Sequence, residues 1–444
     1  MTASREVSQP KAFRKTVRDS SCLPVTGPGW LSAVRRAAFD RFSQKGFPTR
    51  EWESWRYMNL QPLLESSFKV PEETDADLLA PSFRGLGEGT QHRVFLNGAP
   101  VPALSGDLQA SEGLEFLPLL EGLQKYGGEQ RVMEASLDKE ENPFELLNRA
   151  FFTGGAWVRA AKDTSHEPLH LWFLQGPHAV VMPRVRIHVE AGARLTVVIH
   201  SEEAEASAPS LLNLSLEVSL GHDASLEMVQ AHRGSEKSFV FSTLRVSQEA
   251  GSRFVQAVYH RGGNLARTDA RVELQGAGAF AELNGLGLLT GASQLYQEVV
   301  VHHRVPHTAS RQFYKSILAG TAQSEFNSLS HVHSGAVKSE ANQLNRNLLL
   351  SETARAYSRP KLKIYTDDVS ASHGSANGQT QQQELFYLQS RGLDQKTARF
   401  VLTYGFAEEV LEKISDPGVR AALEADSRRM LEGVFDAAFA EGLC

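Results

Sequence analysis

The sequence predicts a mainly β protein, a long series of short stacked strands held between two helical regions. Three observations predict it. From about His92 to Tyr365 apolar and polar residues alternate at period 2. Inside that run a unit of roughly thirty residues recurs. On either side the apolar spacing returns to the helical period.

Residues 1–28 carry positive charge but no apolar stretch, so they read as a disordered arm and no export signal is expected. Residues 29–91 read as a helical region (29–64) and a linker. Trp30, Val34, Ala37, Ala38 and Arg41 share a face, and Gly46 with Pro48 closes that run. The segment Pro48–Leu63 is dense in aromatics and reads as a helix or turn docked onto the next domain by Trp52, Trp55 and Tyr57. Residues 65–91 are rich in Pro, Gly and Glu, the composition of a linker.

The strand core is expected over 92–380, with a helical insertion near 114–157, where Phe144, Leu147 and Phe151 share a face. The segments EAGARLTVVIH, GHDASLEMVQAH and EAGSRFVQAVYH each pair a small-residue turn with an alternating strand and a closing histidine. Their glycines Gly192, Gly221 and Gly251, followed by Gly278, are spaced 29, 30 and 27 apart. GTAQSEFNSLSHVH reads as a later member of the series. Such spacing marks units that bury their apolar faces on one another, as in a β-solenoid. An antiparallel sandwich satisfies the same alternation equally well. GLGLLTG (Gly285–Gly291) reads as a turn between strands rather than a dinucleotide loop, because no helix follows it.

Residues 381–444 read as a C-terminal helical domain. Gly392 ends the first helix and Asp394 caps the second, whose stripe is Ala398, Val401, Leu402 and Phe406. Asp416–Pro417 starts the third, with Leu423, Met430, Leu431, Val434 and Phe435. A solenoid end offers little core for three helices, so these stripes serve either as core or as a docking face.

Composition narrows the function. The 444 residues are 41% hydrophobic and 22% charged, as in ordinary globular chains, and the net charge of -6 argues against nucleic-acid binding. No window is long and apolar enough to span a bilayer. The two cysteines, Cys22 and Cys444, lie near opposite ends, which excludes a disulfide framework or a CxxC site and suits the cytoplasm. There is no GxxxxGK[ST], HExxH or GxSxG. Histidine is the one chemical enrichment. His302, His303, His307, His331, His333 and His373 cluster late in the chain, and His331 and His333, two apart on a strand, face one side. Neutral imidazoles so placed suit a borderline transition metal, although each taken singly reads first as an ordinary strand residue.

Several late phrases carry a resemblance. NRNLLLSE (Asn345–Glu352), PKLKIYTDDV (Pro360–Val369), SHG (Ser372–Gly374) and ELFYLQSRGL (Glu384–Leu393) resemble the SufB/SufD family, scaffolds of an iron–sulfur cluster assembly machine, on its SufD-like side. PHTASRQFYK (Pro306–Lys315) and the aromatic phrase after Pro48 resemble it too. The resemblance implies a right-handed parallel β-helix and so decides between solenoid and sandwich. It implies a non-catalytic subunit of a SufBCD-type complex, with a SufB-like subunit and a SufC-like ATPase as partners. It places His373, in what reads as a Ser/Gly loop, at the SufB interface as a ligand of the nascent cluster. Many relatives carry a cysteine two residues earlier, where this chain has Ala371. It places ATPase docking on the helices Gln382–Ile414, through Glu384, Leu385, Phe386, Tyr387, Leu388, Arg391 and Gly392. No cofactor is expected to stay on the chain alone; a cluster would be held only transiently in the complex. A SufB-like identity would need internal cysteines, which are lacking. The rival from another class is a stand-alone β-solenoid enzyme acting on polysaccharide.

Overall fold

Two largely parallel sheets face one another, and from Arg194–Glu203 onward the chain passes from one to the other with each successive strand. The computed structural model describes residues 11–68, 91–106, 112–126, 133–134, 137 and 140–440. The first sheet runs from Gln91–Leu96 through Leu169–Gln175, Arg194–Glu203 and further strands to Val369–Gly378. The second runs from Leu114–Pro118 to Arg355–Ile364. The result is a parallel β-solenoid of about eight turns. Inward-facing residues stack in columns, such as Leu195, Leu226, Phe254 and Ala281 on one sheet. Val185, Leu216, Leu244, Ala270 and Val299 oppose them on the other. All lie in one continuous apolar core.

The repeat has a backbone cause. At one corner of six successive turns a residue takes the left-handed conformation: Gly192, Asp223, Gly251, Gly278, His307 and Lys338, with φ between 55° and 77°. The strand register stacks these positions in one column. The true intervals are therefore 223 − 192 = 31 and 251 − 223 = 28. Gly221 stands two places ahead of the column; it is needed because a Cβ there would lie 2.8 Å from the backbone nitrogen of Ala191. GTAQSEFNSLSHVH belongs to the second sheet, and its Gly320 stacks on Gly291 at another corner.

Other expectations change. Gly285 and Gly287 lie inside the strand Phe280–Leu289, not in a turn; a Cβ on Gly285 would stand 2.3 Å from the Tyr314 ring. The insertion contains two antiparallel-paired strands, Leu114–Pro118 and Gly155–Ala160, beside the helices Leu119–Lys125 and Pro143–Phe151. The helix begun at Leu31 ends at Lys45, and Gly46 caps it with φ 72°. Only short helical turns follow, Glu53–Trp55 and Gln61–Glu65. The reading of 1–28 as disordered fails from Lys11 onward. Lys11–Ala12 pairs with Ser67–Phe68, and Phe13 and Val17 are buried, because two apolar anchors repay ordering this segment. Residues 1–10 of that arm, 69–90 of the linker and Cys444 lie outside the described residues.

Both flanks are clad. Phe13, Phe42, Trp55, Phe68 and Phe144 pack with Phe239, Phe241 and Tyr296 of the second sheet. Trp55 lies under the Arg267 guanidinium at 3.8 Å, Tyr57 stacks on Tyr357 at 4.1 Å, and the Tyr296 hydroxyl donates to the Tyr57 carbonyl at 2.7 Å. Glu145 is buried between Arg184 (2.6 Å) and Arg149 (3.2 Å). Burial alone would raise its carboxyl, but the two guanidinium groups hold it down at about 2.

The C-terminal helices, Gln382–Ser390, Gln395–Leu411 and Pro417–Ala440, do not crowd the solenoid end. Ala407, Val410, Leu411, Val419, Leu423 and Leu431 pack on Val198, Val229, Ala257, Leu286 and Ile317 of the first sheet. The flank supplies the core that the end could not, and Val401, expected in the stripe, is 44% exposed. Asp426 is buried, accepting from the Tyr259 hydroxyl at 3.0 Å and pairing with Arg233 and Arg261 at 3.1 Å each.

Candidate functional site at the open end of the solenoid

His373 is not in a loop. It occupies the last strand of the first sheet, Val369–Gly378, in register with Gln343. All ten residues pair with the neighbouring strand, and that pairing outweighs the turn propensity of the Ser and Gly residues. The Asn-rich segment Asn342–Leu349 likewise belongs to a strand, Ser339–Leu349.

Register reveals what His373 is. It continues the column Val197, Met228, Gln256, Leu283, Gln312 and Gln343. All six predecessors are buried inside the solenoid. His373 is exposed only because the stack stops there. Its Nδ1–H donates to the Pro360 carbonyl at 3.2 Å, so in the neutral ring the lone pair sits on Nε2. Ala371, two residues back, faces the same way. His373 also borders a groove of about 730 Å³, walled by Glu282, Arg311 and Phe313 and by Glu409, Glu412 and Lys413 of the helical region.

The interior changes character toward this end. Gln312 donates to Ser330 (3.2 Å) and accepts from Ser328 (2.6 Å). Gln343 donates to Ser330 (2.8 Å) and to the Lys361 carbonyl (3.2 Å), and Asn345 donates to the Tyr314 carbonyl (3.1 Å). A hydrogen-bonded ladder thus replaces the Leu/Val core below His373.

The other histidines divide. His303 faces inward, between Thr308 and Ser310 at 2.8 Å each, and His307 is a corner residue. His302, His331 and His333 come together, half-buried, on the outer side of the second sheet. Their rings resist protonation: His302 is pushed down to about 4, mainly by burial, and His331 and His333 are lowered by burial and then by Arg304.

Among the residues expected to dock an ATPase, Phe386 is 72% and Tyr387 56% exposed. Arg391 lies over the Tyr387 ring at 5.3 Å, and Glu384 and Gly392 are exposed. Leu388 is half-buried. Leu385 is buried and unavailable to any partner.

The fold is a parallel strand stack whose last rung, carrying His373, is left open. Comparison with known proteins gives its family. The SufBD core domain of the SUF iron–sulfur cluster assembly system matches residues 172–406, and the SufBD N-terminal region matches residues 19–77. A SufBD family protein of Synechocystis is 30% identical over 418 residues, covering 90% of this chain and 91% of that protein. The iron–sulfur cluster assembly protein SufD of Escherichia coli is 27% identical, covering 87% of this chain and 90% of its own. The chloroplastic protein ABCI7 of Arabidopsis thaliana is 32% identical over 285 residues, which is 64% of this chain and 56% of its own. The chain belongs to the SufBD family, and its role lies in iron–sulfur cluster assembly. No described helix is long and apolar enough to cross a membrane.

Proposed function

We propose that the chain is a non-catalytic, SufD-like scaffold subunit that pairs with a SufB-like subunit through the open end of its solenoid. The observation that carries this reading is His373, an interior position of the stack left without a covering rung. Strand edges that end a sheet present unpaired N–H and C=O groups, and a similar chain can extend them. A covering rung would close a pocket over Nε2 of His373. The nascent cluster, cargo rather than a resident group, would take a nitrogen from that atom and sulfur from the partner, since Ala371 supplies none. The exposed Phe386, Tyr387 and Arg391 would meet a SufC-like ATPase in the cytoplasm. Phe386 and Tyr387 are among the few large apolar side chains exposed in the described residues. The next helix, Gln395–Leu411, which packs against theirs, is fastened to the first sheet by Lys315, which donates to the Phe406 carbonyl at 2.9 Å and pairs with Glu409 at 2.8 Å. Movement of a docked ATPase would thereby reach the groove beside His373.

Co-expression with SufB- and SufC-like partners tests the assembly: a three-part complex is expected, and its absence counts against the reading. His373→Ala should leave that complex intact and reduce the rate of cluster formation in it. An unchanged rate removes the role of His373 and leaves the scaffold.

A further inference from the structure

We infer that His302, His331 and His333 form a binding site for one divalent first-row transition-metal ion, separate from the open end and independent of the assembly role. Each offers a ring nitrogen, and the three nitrogens lie within 4.8 Å of one another. The strand register builds the cluster: His302 is the paired neighbour of His331, and His331 and His333 share a face with rings 3.8 Å apart. Nδ1 of His302 and Nε2 of His333 are already 3.1 Å apart, the separation of two nitrogens on one ion. The widest pair must close to under about 4.2 Å, twice a zinc–imidazole bond, which half-buried side chains reach by small rotations.

The surroundings supply an outer shell. Glu273 lies one strand before His302 in the same column, with its carboxylate 3.8 Å from Nε2. A carboxylate behind a metal-bound imidazole fixes its tautomer and strengthens it as a ligand. Two cations oppose the ion. Arg304 donates to Nδ1 of His333 at 3.4 Å, and Lys363 follows His331 in the column. Arg304 also bonds Glu273 at 2.7 Å and is 41% exposed, so it can release His333 and keep the carboxylate. On binding, His333 moves its proton from Nε2 to Nδ1, and the ion takes the freed lone pair. Three imidazoles leave a coordination position open to water or to a ligand from a partner. Imidazole sets of this kind take Zn²⁺, Fe²⁺, Co²⁺, Ni²⁺ or Cu²⁺ and reject Mg²⁺ and Ca²⁺.

Titration of the purified full-length chain with Co²⁺, followed by visible absorption, tests the site, with Mg²⁺ as the control ion. One equivalent is expected. His302→Ala and His333→Ala should each weaken it about 100-fold or more, beyond the 10–100-fold that outer-shell losses cost. Arg304→Gln keeps all three ligands and should tighten binding several-fold, whereas Glu273→Gln should weaken it about tenfold. This pair decides the matter if a histidine variant fails to fold. His373→Ala should bind as wild type. Absence of Co²⁺ binding by the wild-type chain, or binding indifferent to these substitutions, overturns the proposal.

Discussion

Replacing His232 by Gln should flatten the loss of stability in acid. His232 is buried in the strand Ser225–Gly234, its ring stacked 4.7 Å from that of His260. Nδ1 accepts from the Ser201 hydroxyl at 2.7 Å, and Nε2–H points at Gln230 at 3.4 Å. Burial first, and Arg233 second, push its pKa from 6.5 down to about 3. The sign follows from proton uptake. Between 6.5 and 3 the unfolded chain binds a proton that the folded chain refuses, so stability is present above 6.5 and drains away as pH falls through this window. At pH 5 the gap spans 1.5 pH units, which at about 1.36 kcal/mol per unit is about 2 kcal/mol from this one ring. Urea unfolding of wild type and His232→Gln at pH 7 and pH 5 measures it. The variant should lose about 2 kcal/mol less than wild type over that step, whatever its stability at pH 7. Parallel losses in the two proteins would show that His232 accepts its proton in the fold, and the reasoning would fail.

Three further outcomes are expected. Asp426→Ala strips Tyr259, Arg233 and Arg261 of a shared partner and should cost about 3 kcal/mol, read as a lower melting temperature. Gly285→Ala forces a methyl group against the Tyr314 ring and should cost about 1–3 kcal/mol, with partial recovery in a double variant carrying Tyr314→Ala. Trp55→Ala removes a buried ring stacked on Phe144 at 5.7 Å and covered by Arg267; it should cost about 3–5 kcal/mol and expose the N-terminal region to limited proteolysis.

The strands were legible because period-2 alternation is a direct imprint of a buried and an open face, and the aromatic anchors Trp55 and Tyr57 announced their docking. The turn register was less legible. Asp223, His307 and Lys338 hold the left-handed corner without being glycine, so a count of glycines misplaced one unit and assigned another to the wrong sheet. The Ser/Gly-rich piece around His373 reads as a loop although it is a strand. Local propensity is silent about a ladder already waiting to pair with it. Phe13 was overlooked because one aromatic in a charged segment gives no period. The histidine cluster was half visible. His331 and His333 show their common face in two residues of spacing, but His302 joins them only through a register 29 residues long, and Glu273 through another of the same length.

The amide and hydroxyl ladder beneath the last rung bears on how such a stack avoids running on indefinitely. A terminus lined with Leu and Val would adhere to any greasy surface and would seed filaments. Here water can wet the terminal layer at small cost, because Gln343 and Asn345 already have bonds of their own. A newcomer gains little from mere dehydration. It must match the spacing of donors and acceptors, so the closing of this end discriminates by pattern rather than by stickiness.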